Sequence, residues 1–454
     1  MIHLVNKLEF EATCANESIA FELRHNFARI CQDHVSGIIE DICTRLAGED
    51  EWLQIDKLEI DLGHIDPVIF ESTIRQALYL NFEKQLLTRL QSQPTGLRKM
   101  SKPLADLEML TFFLREGILP WWADATTKDP GIICLAMLSE QQHSFYNLLQ
   151  ENKSNENFWK RISLQFSSEV KNQIIHLFDQ LTYVEKEMLQ FSTELLAAGE
   201  NVVWAGSDDL LKRIQTFILA RAATILAPGN QAGTQSFSTL VKSLCIEWRR
   251  SFLPGNPGIA EDHFNELPEP SGSITRQEFD FTSNSNDPVE KLLTGNAGIV
   301  LLSPFFKPLF AELGWIEELE WKDEASQQKA IHLLRYLSSG ELKTPEYTLG
   351  LEKILCGMPL FVPVTRESAL NDKEISEAET LLKSVTGHWK ALKNASISAL
   401  RQTFLKRDGI ITRKDDGWHL QVERRTEDIL LESIPWGFST ISFSWNKYII
   451  YVEW

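Results

Sequence analysis

The spacing of apolar side chains predicts two strands and two helices at the start of the chain. Apolar and polar residues alternate over residues 4–12, and again less regularly over residues 53–62, as in half-buried strands. Between these segments, apolar residues recur at helical spacing over residues 19–46, which predicts one long amphipathic helix. An Asp-Pro pair begins a second helical pattern that continues to residue 91. Residues 1–91 are therefore expected to form a β-α-β-α module.

Helical spacing continues through the middle of the chain. Residues 92–252 begin with a short linker and are then expected to form a helical middle region. Residues 253–288 contain few apolar residues and many Pro, Gly, Ser and acidic residues, which predicts a flexible acidic linker. Helical patterns return after it, so residues 289–454 are expected to form a separate C-terminal module.

The end of that module changes from helical to strand patterns. The segment Lys414-Asp415-Asp416-Gly417 is typical of a tight turn, and the alternating residues on either side of it predict a β-hairpin. Residues 448–454 are rich in β-branched and aromatic side chains, which favours a strand in a sheet. The predicted fold class is mainly α, with small α+β modules at both ends. The N-terminal one is a β-α-β-α unit, and the C-terminal one consists of helices followed by β-hairpins.

Composition narrows the possible partners. The 454 residues carry a net charge of −18, which argues against nucleic acid and against anionic membrane surfaces. A partner with a basic surface remains compatible with this charge. Apolar runs stay well below the roughly 18 residues that a membrane helix needs, so no membrane insertion is expected.

The cysteines and the N-terminus indicate the compartment. The six cysteines are scattered without a CxxC pair, which predicts buried thiols in a reducing cytosol. The first residues lack the basic and apolar regions of a secretion signal. We therefore expect the protein to be made and folded in the cytoplasm.

Motifs for catalysis, metal binding or cofactor binding are missing from the sequence. The ten histidines form no HExxH pair, and GxSxG, Walker and GxGxxG loops do not occur. Acidic pairs are expected in any chain with 63 acidic residues, so they do not indicate glycosidase chemistry. The sequence predicts that the protein is not an enzyme and that it uses neither a metal nor a cofactor.

Aromatic residues are the best candidates for functional contacts. The C-terminal segment contains Trp436, Trp445, Tyr451 and Trp454, and an adjacent pair, Trp121 and Trp122, follows the end of a predicted helix. Such side chains either anchor a partner or fill the core of a module. A sugar-binding platform is a third interpretation of the adjacent tryptophans. These residues are predicted as partner contacts or as core residues of their modules.

Several motifs resemble those of the tape measure proteins of bacterial contractile injection systems, which are phage-tail-like particles. The similarity covers roughly residues 1–125 and 290–454, and as a set the motifs are specific. They include residues 55–63, Gly117-Ile118-Leu119-Pro120-Trp121-Trp122, Leu301-Leu302-Ser303-Pro304-Phe305, Leu355-Cys356-Gly357-Met358-Pro359, His388-Trp389, Asp416-Gly417-Trp418, Ile434-Pro435-Trp436-Gly437 and Tyr451-Val452-Glu453-Trp454.

The resemblance implies a structural protein that sets the length of the tube and sheath. On that hypothesis it occupies the tube lumen during assembly, contacts tube, spike or baseplate subunits, and is present in several copies per particle. A single unbroken helix of this chain would span only about 680 Å, and its Pro and Gly residues exclude such a helix. Three alternatives follow: the chain unfolds to reach its length, several copies stack, or it is an interaction hub or cap without a ruler role. A carbohydrate-active enzyme is the least favoured alternative.

Overall fold

The protein is described by a computed structural model covering residues 5, 8–14, 16–30, 35–46, 51–65, 70–92, 97–123, 129–197, 207–251, 291–393 and 395–454. Contacts divide the chain into two compact units, Met1–Glu108 and Met109–Trp454. The division into four segments at residues 91, 252 and 288 stays a prediction. The predicted linker, residues 253–288, lies outside the described residues.

The first unit packs helices beside a two-stranded antiparallel sheet. Trp52 lies opposite Met100 in that sheet. A small core forms where apolar residues at helical spacing, among them Ile42 and Leu86, meet between the second and third helices. The elements are α1 (Glu17–Ile30), α2 (Ser36–Leu46), β1 (Glu51–Ile55), α3 (Phe70–Ser92), β2 (Leu97–Ser101) and the first half of α4 (Lys102–Glu116).

The order of elements in this unit differs from the predicted β-α-β-α order. Residues 8–14 form no strand, and β1 ends at Ile55, where the alternation of residues 53–62 changes phase. The partner of β1 is β2, which lies in the segment predicted as a linker. The helix predicted over residues 19–46 is described as α1 and α2, and residues 31–34 between them lie outside the described residues. A strand forms by pairing with another strand, and β1 and β2 are more than 40 residues apart in sequence. Local spacing therefore did not indicate that they pair.

The second unit begins with the helical region. Four of its helices start at side-chain caps, since Asp129, Asn155, Ser167 and Thr234 each accept a hydrogen bond from a backbone N–H of the first turn. The helices are α5 (Pro130–Glu140), α6 (Gln142–Glu151), α7 (Glu156–Gln165), α8 (Ser168–Ile175), α9 (Asp179–Ala197), α10 (Ser207–Ala220), α11 (Ala222–Ile225) and α12 (Gln235–Arg250).

The rest of the second unit combines helices with a five-stranded sheet. The α-helices are α13 (Ser303–Glu312), α14 (Glu324–Ser339), α15 (Gly350–Leu355), α16 (Asp372–His388) and α17 (Ile397–Leu400). Shorter helical turns are Ala297–Leu302, Glu346–Thr348, Lys390–Leu392, Arg401–Leu405 and Thr426–Ser433. The strands are β3 (Lys291–Thr294), β4 (Ile316–Glu317), β5 (Glu320–Trp321), β6 (Gly409–Lys414), β7 (Gly417–Val422), β8 (Thr440–Ile441) and β9 (Ile450–Glu453).

The predicted hairpin forms the centre of the larger sheet. Strands β6 and β7 pair antiparallel across the turn, with Lys414 opposite Gly417. The strand order is β3-β6-β7-β9-β8, and β9 is parallel to β7 and antiparallel to β8. Gly417 has φ +149°, and a Cβ there would lie 2.3 Å from the carbonyl oxygen of Ile449, so the turn approaches the segment before β9 closely.

The predicted fold class is confirmed: the chain is mainly helical, with small strand-containing modules at both ends. The predicted terminal strand is β9. Helix α14 ends at Gly340, whose φ is +78°. Strand β3 was not predicted, because its segment was assigned to returning helical patterns. Side chains from α13 to α16 and from the larger sheet share one hydrophobic core.

Candidate functional site

Trp445 packs among other aromatic side chains of the C-terminal module. Its ring stacks on Phe443 with the centroids 4.6 Å apart, and it also contacts Trp321 at 5.3 Å. The indole N–H donates a hydrogen bond to the carbonyl oxygen of Leu355, 3.1 Å away. The polar atom of this side chain is therefore already bonded within the module.

Trp436 joins the strand region to the turn before α13. Its indole N–H donates to the carbonyl oxygen of Leu301 at 2.9 Å, and its ring meets Phe305 edge-on with the centroids 4.9 Å apart. The side chain is half-buried. It therefore ties the segment between β7 and β8 to the first helix of the C-terminal core.

Trp454 is connected to the buried Arg407 through Asp428. Its indole N–H donates to Asp428 Oδ2 at 3.0 Å, and Asp428 Oδ1 accepts from Arg407 Nη2 at 2.7 Å. The Arg407 guanidinium is fully buried and lies over the rings of Phe404 and Trp454. The aspartate is thus held between an arginine and an indole.

The remaining candidates lie in different surroundings. Tyr451, in β9, stacks on His419 with the centroids 4.9 Å apart, on the strand face opposite to buried Ile450. Trp121 and Trp122 lie in the turn that follows Gly117, and both are half-buried. The three C-terminal tryptophans pack against one core, whereas Trp121 and Trp122 lie in a separate segment. Whether these six residues contact partners stays a prediction.

One group of charged residues with several mutual hydrogen bonds was not suggested by the sequence. Arg161 on α7 forms a two-point ion pair with Glu346, with Nε–Oε2 at 2.9 Å and Nη2–Oε1 at 3.1 Å. Lys353 on α15 donates to the same carboxylate, with Nζ–Oε1 at 2.6 Å. All three side chains have no exposed surface. We call Arg161, Glu346 and Lys353 the ion cluster.

Backbone carbonyl oxygens accept the remaining donors of the ion cluster. Arg161 donates to Leu114 and Phe361, and Lys353 donates to Leu360 and Val362, at 2.6 to 2.8 Å. Burial lowers the pKa of Lys353 to about 8, and the nearby Arg161 charge acts in the same direction. The ion cluster is closed to solvent, so it is a packing feature rather than an open reactive site.

Other perturbed groups are also enclosed. Burial lowers the pKa of His332 to about 4, so its imidazole is neutral at pH 7, with Nε2 3.2 Å from Thr365 Oγ1. Burial raises the pKa of Glu352, whose Oε1 accepts from the Asn296 amide at 2.6 Å. Neither group belongs to a set of converging catalytic residues in a cleft, which is what an acid–base site needs.

Thiol and metal chemistry find no support among the described residues. Burial raises the pKa of the Cys134, Cys245 and Cys356 thiols, which disfavours the reactive thiolate. Across the described ranges, no group of three or more His, Cys, Asp or Glu side chains is placed to hold a metal ion. None of the helices within these ranges is long and apolar enough to cross a membrane.

The comparisons with known proteins give one result. No curated protein and no solved structure matches the chain. A family model described as "Contractile injection system tape measure protein" matches residues 2–454. The match includes the middle of the chain, where the sequence motifs had offered no resemblance. Because it spans nearly every residue, the chain belongs to the family of contractile injection system tape measure proteins.

Proposed function

We propose that this chain acts as a tape measure by non-covalent contact with tube, spike or baseplate subunits of a contractile particle. The observation that carries the proposal is the family match over residues 2–454. The chain would act in the cytoplasm during assembly and be carried in the lumen of the assembled particle, in several copies.

The net charge supports a particular kind of partner. A chain with charge −18 is attracted to basic protein surfaces and repelled by nucleic acid and anionic lipid. We therefore propose that the subunits contacted present basic surfaces. Neither nucleic acid binding nor membrane insertion is part of the proposal.

The proposal includes no catalytic step. Buried charged side chains of the second unit are paired with one another, as in the ion cluster and the Arg407–Asp428 pair. In this account Trp436, Trp445, Tyr451 and Trp454 stabilise the C-terminal module. Trp121 and Trp122 keep part of their surface exposed and are proposed as partner contacts.

One observation favours the alternative of a hub or cap without a ruler role. Hydrogen bonds in the second unit join residues far apart in sequence, such as Arg161 to Glu346 and Arg366 to Asp129. A unit folded in this way has a length that does not grow in proportion to its number of residues. The tape measure role therefore requires that the chain be extended in the particle, or that several copies stack.

Capture experiments with the separate subunits test the proposed contacts. We expect the immobilised full chain to retain at least one of the tube, spike and baseplate subunits, and to retain less at high ionic strength because salt screens opposite charges. Replacing both Trp121 and Trp122 by Ala should weaken binding about tenfold or more, as for aromatic anchors.

A matched control uses another exposed apolar residue of the second unit. Ile132 is 69% exposed, so Ile132→Ala should leave both binding and folding unchanged. Retention of none of the subunits would contradict the proposed contacts. Release of sugar from cell-wall glycans by the purified chain would instead support the enzyme alternative.

A further inference from the structure

The ion cluster lies where two parts of the second unit meet. The helical part contains the described residues of 109–251, and the C-terminal part contains those of 291–454. Arg161 belongs to the helical part, whereas Glu346 and Lys353 belong to the C-terminal part. Within the ion cluster Arg161 supplies the charge from the helical side, so the Arg161–Glu346 pair is its ionic link between the two parts. The ion pairs Asp129–Arg366 and Lys160–Glu324 also join these parts.

Further polar contacts surround this link. Gln165 donates to the carbonyl oxygen of Val364 at 2.6 Å and accepts from the backbone N–H of Glu346 at 3.1 Å. Arg366 reaches Asp129 at 3.3 Å. These contacts connect side chains of the helical part to residues 346–366, so the junction is dense in polar groups.

Apolar contacts across the junction also exist. Phe113 meets Tyr347 edge-on with the ring centroids 5.9 Å apart, and Ile118 joins the hydrophobic core of the C-terminal part. The larger apolar clusters lie on either side. In the helical part, α10 contributes fully buried Ile218 and Leu219, and in the C-terminal part α14 contributes fully buried Leu333 and Leu334.

Separation of the junction would expose many charged and amide groups, together with the apolar contacts of Phe113 and Ile118. The closed cluster holds two cations and one carboxylate away from water. On separation, Glu346 and Lys353 stay together as a balanced pair, while Arg161 gains water and keeps its neighbouring carbonyl of Leu114. Water solvates charged and amide groups well, whereas it would oppose exposure of an apolar interface of the same area. Burial lowers the pKa of Lys353, which agrees with a closed state that keeps its ammonium group away from water.

We propose that the second unit has a joint at the ion cluster, at which the helical part and the C-terminal part separate while each remains folded. The joint gives the chain a way to lengthen without unfolding its two hydrophobic cores. This inference concerns the chain alone and does not depend on which subunits it contacts.

Hydrogen exchange of the unmodified full chain tests the joint. The Glu346 backbone N–H is protected by the side chain of Gln165 across the junction, so a peptide containing it reports opening. We expect this peptide to exchange at least about tenfold faster than the peptides of α10 and α14, because local opening precedes global unfolding. A common exchange rate for all three would overturn the proposal.

Glu346→Gln removes the ionic link to Arg161, together with the pair that Glu346 forms with Lys353 inside the C-terminal part. The substitution leaves two buried cations without a counter-charge, so exchange at residues 346–366 should rise about 100-fold while α10 and α14 keep their rates. The matched control is Glu367→Gln, which removes a carboxylate from an exposed pair with Lys343 and should change nothing. Faster exchange throughout both parts, or unchanged exchange at residues 346–366, would contradict the joint.

Discussion

A chain that ends at Tyr448 is expected to lose the folded C-terminal module. The truncation removes β9, which lies between β7 and β8, so both neighbours lose their backbone partner. It also removes fully buried Ile450 and the hydrogen bond from Trp454 to Asp428. The free energy of unfolding is expected to fall by more than about 5 kcal/mol, which exceeds the cost of deleting one large core side chain.

Urea unfolding followed by tryptophan fluorescence measures this effect. Ile449→Ser is the control, because this neighbouring side chain is 36% exposed and its substitution should cost less than about 1 kcal/mol. An unchanged unfolding midpoint in the truncated protein would show that β9 does not hold the sheet together.

Gly298→Ala is expected to destabilise the second unit by about 3 kcal/mol or more, because inserted atoms force the backbone apart in a packed core. A Cβ at this position would lie 1.7 Å from the carbonyl oxygen of Phe404 and 2.8 Å from the Cα of Leu405. Both are backbone atoms, so no side-chain rotation relieves the collision. Thermal unfolding of the variant should show a markedly lower Tm.

Gly387→Ala is the matched control for that substitution. Gly387 lies in α16, and a Cβ there has no atom within 4 Å. Alanine is the better helix former, so this variant should gain up to about 1 kcal/mol. Equal Tm values for the two alanine variants would contradict the close contact between Gly298 and the backbone of Phe404.

The parts of the fold that were predictable from sequence are local ones. The turn at residues 414–417 and the terminal strand each depend on a few neighbouring residues. Strands β2 and β3 were missed because their partners, β1 and β6, lie far away in sequence. A strand of four or five residues shows too little alternation of apolar and polar residues to be identified without its distant partner.

For the candidate residues, too, the sequence indicated local features but not contacts with distant residues. The sequence identified the C-terminal tryptophans as either anchors or packing residues, and their indole hydrogen bonds could not be read from spacing. The ion cluster was missed entirely, since Arg161 and Glu346 are separated by 185 positions. A charged residue in a helical pattern is normally solvated, so nothing local to Arg161 indicates its burial. Its position follows only from how α7 packs against residues 346–366.

The length of the assembled particle shows whether this chain acts as a ruler. Helix-forming inserts of 20 and 40 residues can be placed in the exposed turn at Gly229–Gly233, where added atoms meet open space at both glycines. For a chain that sets length, electron microscopy should show particles longer by about 30 and 60 Å if the inserts are helical, and by about twice as much if they are extended. The two increments in particle length are expected to stand in a ratio of one to two. Particles of unchanged length, assembled with the lengthened chain inside, would contradict the tape measure role and leave the hub or cap as the better description.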